Sequence, residues 1–322
     1  MKKFELTGEF ITNIFGKKLF RIRALVAFGN VEAGELGGYV EKEENLSDEG
    51  DAWVSGNAHV FGDARVSGDA RVFEDAWVFG NARIYRDAEV FGNARVSDDA
   101  DVCGGAWVYE NAWVSGGVRL SGEARLYGNA EVCGNAEVFG DARLYGNTRV
   151  YGSAKVYGNA RVYENTRVYN DAEVCGNAEV SGNAWVSGTA KIYENARVSG
   201  DSRVYGNARA YGNVFVCGNA RVYENAHVSG DAWVYGNAQV SSDAEVSCDA
   251  DIVQVTGIGD TRRTITAFRT PHGTCVVWGF FSGDLDEFRK QVKNTRRGKM
   301  QREYLMFANL VEICFCEDKE DE

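Results

Sequence analysis

Three histidines, His59, His227 and His272, are the side chains best placed on the pH scale to exchange a proton near neutrality. A base must lie within hydrogen-bond reach of the hydroxyl or amine that it activates. His59 and His227 recur inside a repeat and are the weak catalytic candidates, while His272 sits outside it. No nucleophile motif, phosphate loop, dinucleotide fingerprint or metal-ligand spacing accompanies them. Cys314 and Cys316 stand one residue apart near the C-terminus, but nothing beside them completes a zinc set. Asn or Asp also recurs every six residues, a column that could suggest calcium. At chain bends those residues are structural by default, because they tolerate positive φ. The sequence therefore implies no metal and no cofactor.

The elements that would carry these residues follow from the repeat. Thirty-four blocks of six residues run from Gly50 to Val253 without an insertion or deletion, in forms such as GNARVY and GDARVS. Position 3 is Ala in 29 blocks, position 5 is Val in 27, and position 2 is Asn or Asp in 29. Positions 3 to 6 alternate apolar and polar, which predicts a short strand with one buried face. Positions 1 and 2, usually Gly-Asn or Gly-Asp, predict a bend. Strand and bend repeated in one direction give a coil, and equivalent strands of successive coils pair in parallel. Ala beside Val throughout demands a narrow, close-packed interior.

The repeat resembles the hexapeptide-repeat proteins that form a left-handed parallel β-helix. The matching features are an aliphatic residue every sixth position, a small residue two before it, and Asn or Asp three after it. The resemblance implies an all-β fold, a left-handed triangular solenoid with three blocks per coil and about 11 coils. At ~4.8 Å per coil the solenoid would be ~54 Å long. Parallel crossovers are normally right-handed, so a right-handed triangular solenoid like that of bactofilin-like filaments is the alternative. Residues 21–47, RIRALVAFGNVEAGELGGYVEKEENLS, are similar to the leader of an uncharacterised group of bacterial and prophage-encoded hexapeptide-repeat proteins, labelled acyltransferases on fold alone. Acyltransferases of this fold use a histidine base near a trimer interface, often beside a loop that interrupts the coil. No loop interrupts the repeat here to form a pocket or a CoA groove.

The regions outside the repeat read as caps. Residues 1–43 form an N-terminal β-rich cap, with a hairpin around Phe15-Gly16-Lys17. Residues 44–253 are the solenoid, 254–316 a small α/β domain, and 317–322 an acidic tail. In the α/β domain, RTITAFRT and TCVVWGFF are joined through Pro271-His272-Gly273 as a hairpin. Asp284 and Glu287 make a capping box opening a helix with Leu285, Phe288 and Val292 on one face, ended by Gly298. A second helix carries Tyr304, Ala308, Val311 and Phe315. A solenoid end is a row of unpaired strand groups, so caps keep it from stacking end to end.

Composition narrows the partners. Net charge is −12, divided as −2 before the repeat, −10 within it and zero after it. DNA of the same length would carry about 32 charges, one per ~1.7 Å, so the repeat is a poor nucleic-acid mimic. No apolar run reaches the ~18–20 residues of a membrane span. The start, MKKFELTGEF, lacks the apolar stretch of a secretory signal. The eight cysteines fall on different sides or several coils apart and predict free thiols, which point to the cytoplasm.

Outward positions 4 and 6 carry the surface chemistry. One side alternates in sign through Arg119, Glu137, Lys155, Glu173 and Lys191, a solvated salt-bridge face. The second stacks Arg125, Arg143 and Arg161 beside Tyr109, Tyr127, Tyr145 and Tyr163, with Phe73 and Phe91 extending the aromatic row. The third stacks Arg149, Arg167, Arg203 and Arg221 beside Tyr151, Tyr169, Tyr205 and Tyr223. Like charges in register repel, and aromatic stacking or Arg over Tyr faces can offset part of that at roughly 0.5–1 kcal/mol per contact. These ladders predict a non-catalytic, rigid binding scaffold that contacts a second copy, another protein, a glycan or an anionic polymer. The alternatives are an acetyl-CoA-dependent acyltransferase, and nucleic-acid binding through a basic helix carrying Arg289, Lys293, Arg296 and Arg297. The acidic repeat weighs against nucleic acid.

Overall fold

A computed structural model describes residues 2–259 and 264–315, which fall in two compact units, Met1–Gly176 and Asn177–Glu322. Cys316 and the acidic tail Glu317 to Glu322 lie outside the described residues.

Each block up to Ser247 contributes a two-residue strand made of its positions 4 and 5. In the first unit these strands form three parallel sheets. One runs from Trp53–Val54 to Arg161–Val162, one from His59–Val60 to Arg167–Val168, and one from Arg65–Val66 to Glu173–Val174. Neighbours in a sheet are 18 residues apart, as in Trp53↔Arg71 and Arg125↔Arg143, so three blocks close one coil. The second unit repeats the arrangement, with pairs such as Trp185↔Arg203, Glu179↔Arg197 and Lys191↔Arg209. The chain is thus a β-solenoid, nearly all-β.

The core matches the pattern of small and branched residues. Every position 3 from Ala52 to Ala244 and every position 5 from Val54 to Val246 is at most 1% exposed. Each such valine stabilises the fold by about 1.5–3 kcal/mol. Thr148 and Thr166 replace inward alanines, and their hydroxyls donate to the carbonyls of Tyr145 and Tyr163. A buried hydroxyl is tolerated once it finds an acceptor.

Position 1 makes the bend. Gly146 has φ +74°, and a Cβ there would stand 2.8 Å from the Glu164 amide of the next coil. Among the described residues nine non-glycine positions, Glu74 and Glu110 among them, nonetheless adopt positive φ. For several the side chain accounts for this. The carboxylates of Glu74, Asp98 and Glu110 accept the amides of Gly92, Gly116 and Gly128 on the next coil, and Glu224 accepts that of Ser242. Position 2 adds amide ladders, as in Asn111 to Asn129 to Asn147.

At the N-terminal end, β1 (Phe4–Thr12) and β2 (Lys18–Ala24) form the expected hairpin, and β3 (Leu36–Val40) pairs antiparallel with β2 and parallel with the next solenoid strand. Solenoid pairing therefore starts at Tyr39, ahead of the uninterrupted six-residue count. Tyr39 pairs with His59 and Leu46 with Val66, both 20 residues apart. Two extra residues between Leu46 and Val54 hide these first rungs from a strict count. Gly37 lies where a Cβ would meet Ile22 Cγ1 at 2.5 Å and the Val54 carbonyl at 2.6 Å, so only glycine fits.

Along the solenoid the amides of positions 2, 4 and 6 donate to carbonyls of the following coil, as in Trp53 N to Ala70 O. The first coil is therefore left with bare carbonyls. The buried Lys3 ammonium donates to Gly50 O and Ala52 O, and the Asn45 side-chain amide donates to Gly62 O and Ala64 O. The last coil is left with bare amides. Asp249 accepts from Trp233, the Thr266 hydroxyl from Gln239, and Asp251 from Ser247 and Cys248.

Beyond the repeat, the strands Ile252–Val255, Ile265–Thr270, Gly273–Trp278 and Phe281–Asp284 form an antiparallel sheet. Ile252 and Val253 close the six-residue count but pair here, with Phe268 and Ala267. Helices α1 (Leu285–Thr295) and α2 (Gly298–Phe315) cover it, burying Phe288, Val292, Tyr304, Phe307, Ala308 and Val311 with Ile265, Val276 and Trp278. Asp284 and Glu287 form the capping box. Gly298, expected to end α1, instead opens α2, because α1 stops at Thr295 and Arg296 is extended.

Candidate functional site

The surface feature with the greatest regularity lies on the face of the first unit that starts at Trp53. Position 6 there carries Phe73, Phe91, Tyr109, Tyr127, Tyr145 and Tyr163. Successive rings stack with centroids 4.7, 4.9, 4.9, 4.9 and 5.0 Å apart and planes within 9° of parallel. The spacing is the interstrand distance of a parallel sheet, so the backbone register imposes the stack. Position 4 of the same face brings Arg125, Arg143 and Arg161 into register. Arg125 lies over the Trp107 ring at 4.7 Å.

This geometry refines the expected ladder. Ring faces inside the row are covered by neighbouring rings, so the row presents ring edges and phenol hydroxyls to solvent. Glycan stacking, which needs an open face, is available only at the row's ends. Burial, with Tyr127 and Glu110 nearby, raises the Tyr109 pKa, so the phenol stays protonated and can donate. Other guanidiniums also lie on rings: Arg95 on Trp77, Arg203 on Trp185, Arg197 on Phe215 and, in the cap, Arg21 on Tyr39.

The other expected row, through Tyr151, Tyr169, Tyr205 and Tyr223, is not one ladder. Ser187 occupies the position-6 step between Tyr169 and Tyr205. Tyr151 stacks on Tyr169 in the first unit, and Tyr205 on Tyr223 in the second, at 5.0 and 5.1 Å. Arg149 is in register with Arg167, and Arg203 with Arg221. Arg149 also pairs with Glu131 at 3.0 Å, which offsets repulsion there. The alternating face has the expected register, Arg119↔Glu137 and Glu137↔Lys155, with a Lys155–Glu137 pair at 3.5 Å.

The histidines separate. His59, expected at the surface, is half-buried between Tyr39 and Trp77, with ring centroids 5.9 and 4.9 Å away. Burial lowers its pKa, and its Nδ1 is enclosed without a partner. The aromatic residues of the cap, absent from the repeat pattern, account for this change. His227 stands in a cleft of the second unit with Tyr211, Ser229, Glu245, Arg269 and Thr270, in register with Glu245 on one side and Arg209 on the other. Arg269 is held by Asp251 at 3.2 Å. His272 is exposed in the hairpin turn.

The basic stretch is not one helix. Arg289 and Lys293 lie on α1, while Arg296 and Arg297 lie in the connection to α2. Arg289 pairs with Glu312 and Asp286, Arg296 covers the Trp278 ring at 4.9 Å, and Arg297 donates to the carbonyls of Lys293 and Arg296. These three arginines are occupied within their own domain. Among the described residues no group of three or more His, Cys, Asp or Glu could hold a metal, and seven cysteines are free. No helix among them is long and apolar enough to cross a membrane.

Comparison with known proteins agrees with the architecture. The model of the YdcK beta solenoid repeat matches residues 64–79, 154–170, 190–206 and 214–230. No curated protein matches the chain. Among solved structures, a UDP-N-acetylglucosamine acyltransferase from Campylobacter jejuni aligns over 83% of this chain and 95% of its own, at 10% identity and a TM-score of 0.18. Nothing about activity follows at that level of likeness. The chain is a β-solenoid repeat protein, similar in repeat to the YdcK solenoid.

Proposed function

We propose that the protein is a non-catalytic scaffold that associates with a second copy of itself through the Tyr–Arg face of the first unit. The observation that carries this reading is the in-register row of Tyr109, Tyr127, Tyr145 and Tyr163 beside Arg125, Arg143 and Arg161. It offers hydroxyl and guanidinium donors at a fixed step of about 4.9 Å. A matching surface needs acceptors at the same step. Another β-solenoid supplies them in its Asn and Asp corner rows, and the repeat's net −10 favours approach to a basic strip.

Light scattering tests the reading. The wild type should run above the monomer mass and shift toward it when Tyr145 and Tyr163 both become Ser, or as salt is raised. A wild-type monomer at all concentrations would overturn it.

A second reading rests on His227 beside Glu245 in a cleft, which suits a general base in acyl transfer. It predicts that acetyl-CoA raises the melting temperature and that His227→Ala removes the rise.

A further inference from the structure

The aromatic row on the Trp53 face ends abruptly at Phe73. One face of that ring is covered by Phe91 at 4.7 Å. The opposite step belongs to Ser55, which follows Val54 in register with Val72. A hydroxymethyl group stands where the six steps beyond carry rings, so the outer face of Phe73 is open. The gap is part of a cavity of about 280 Å³ lined by Ser55, Phe73, Trp53, Arg71, Asp51 and Glu89, with Glu35 and Asn30 from the cap at its rim.

The lining has a definite chemistry. Trp53 is 5% exposed, and its indole N–H has no hydrogen-bond partner. Three carboxylates, Glu35, Asp51 and Glu89, face one guanidinium, Arg71. Arg71 and Glu89 are in register across the sheet yet make no ion pair within 4.0 Å among the described residues. Two aromatic residues and excess negative charge are the elements that bind organic cations. The stacked row adds a requirement of shape, because the vacant step is one ring thick.

We propose that this cavity binds a small planar organic cation, whose ring stacks on Phe73 as the next rung of the ladder. Asp51 and Glu89 neutralise its charge, and Trp53 lines the wall beside it. The site is independent of self-association, because none of the Tyr109 to Tyr163 hydroxyls takes part.

Titration calorimetry with N-methylpyridinium tests the charge and the ring together, with benzoate as the anionic ring of similar size. The cation should bind saturably at one site, and benzoate should not. Asp51→Asn with Glu89→Gln should weaken the cation about tenfold or more, the equivalent of ~1.4 kcal/mol. Ser55→Phe is the decisive variant. It extends a row that already carries Phe at the next two steps, so the fold is kept, and it fills the cavity. Its melting temperature should hold or rise while cation binding disappears. Binding by Ser55→Phe as tight as wild type, equal binding of benzoate, or no binding of the cation at millimolar concentration would each overturn the proposal.

Discussion

The first and last coils face the same problem with opposite chemistry. At positions 2, 4 and 6 the solenoid amides point toward the following coil, so this part of the hydrogen-bond ladder has a direction. One end exposes acceptors and the other exposes donors. At the N-terminal end the cap answers with donors, the Lys3 ammonium and the Asn45 amide. At the C-terminal end the cap answers with acceptors, Asp249, Asp251 and Thr266. A cap that merely covered an apolar core could use either type. Glu41, which accepts the Gly62 amide at the N-terminal end, departs from this division, but the Lys3 and Asn45 contacts show that the caps terminate the ladder itself, which is how a solenoid edge is kept from templating another chain.

The largest effect is expected at Lys3. Lys3→Met keeps the apolar stem and removes the donor to Gly50 O and Ala52 O. Two enclosed carbonyls without donors should cost about 2–5 kcal/mol. Hydrogen exchange should accelerate first in the coil from Gly50 to Ser67, and light scattering should show end-to-end growth. Asn45→Leu should do the same at Gly62 and Ala64, with a smaller loss because no charge is involved. If Lys3→Met left exchange in that coil unchanged, the division of labour between the ends would fail.

Next in size is Asp251. Its carboxylate accepts the Ser247 hydroxyl and amide and the Cys248 amide, and pairs with Arg269. Asp251→Asn keeps one acceptor oxygen and should cost about 1–2 kcal/mol. Equilibrium unfolding in urea reads it, with the change confined to the second unit.

The caps also show why their chemistry was illegible in the sequence while the coil was plain. Ala at position 3 and Val at position 5 each report one local fact, an inward-facing site, and thirty-four repetitions remove ambiguity. Lys3 reports nothing local. In MKKFELTGEF it reads as a solvated charge, and its partners lie 47 and 49 residues away. Val40 and Leu46 already hold core positions, but two extra residues before Val54 break the period that would have revealed them. The aromatic row was legible from position 6 alone. That its ring faces are spent on one another, and that Ser55 leaves Phe73 open, depends on the register of adjacent coils. His59, read as a surface residue, is half-buried because Tyr39, from the cap, packs edge-on against it.

Acid should separate the ends more gently. Burial works to raise the Asp251 pKa, but the Ser247 and Cys248 hydrogen bonds outweigh it, and the carboxyl lies below its ordinary value of 3.8. A depressed carboxylate stabilises the fold above the unfolded pKa and loses that contribution as pH falls through the folded value. Exchange at the C-terminal end should therefore quicken below about pH 4. Lys3 behaves in the opposite sense, since burial lowers its pKa below 10.5. Its folded form releases a proton first, so stability at that end rises as pH climbs from the folded value toward 10.5 and does not change in acid. Glu41, which accepts from Gly62 and Lys17, gives the N-terminal end an acid response of its own, screened by solvent. Asp251→Asn should flatten the acid response at one end only.

The smallest effect belongs to the middle, and its size measures how much the ends matter. Tyr127→Ser removes two stacking contacts, to Tyr109 and Tyr145. Aromatic pairs are worth about 0.5–1.5 kcal/mol each beyond their buried area. The backbone bond from Tyr127 N to Leu144 O is untouched, and serine is a native residue at position 6 elsewhere, so the coil keeps its ladder. The variant should lose about 1–2 kcal/mol by urea unfolding, with no new exchange at either end. A loss as large as that of Lys3→Met would mean that the side-chain stack, rather than the hydrogen-bond ladder, sets the register of the coils.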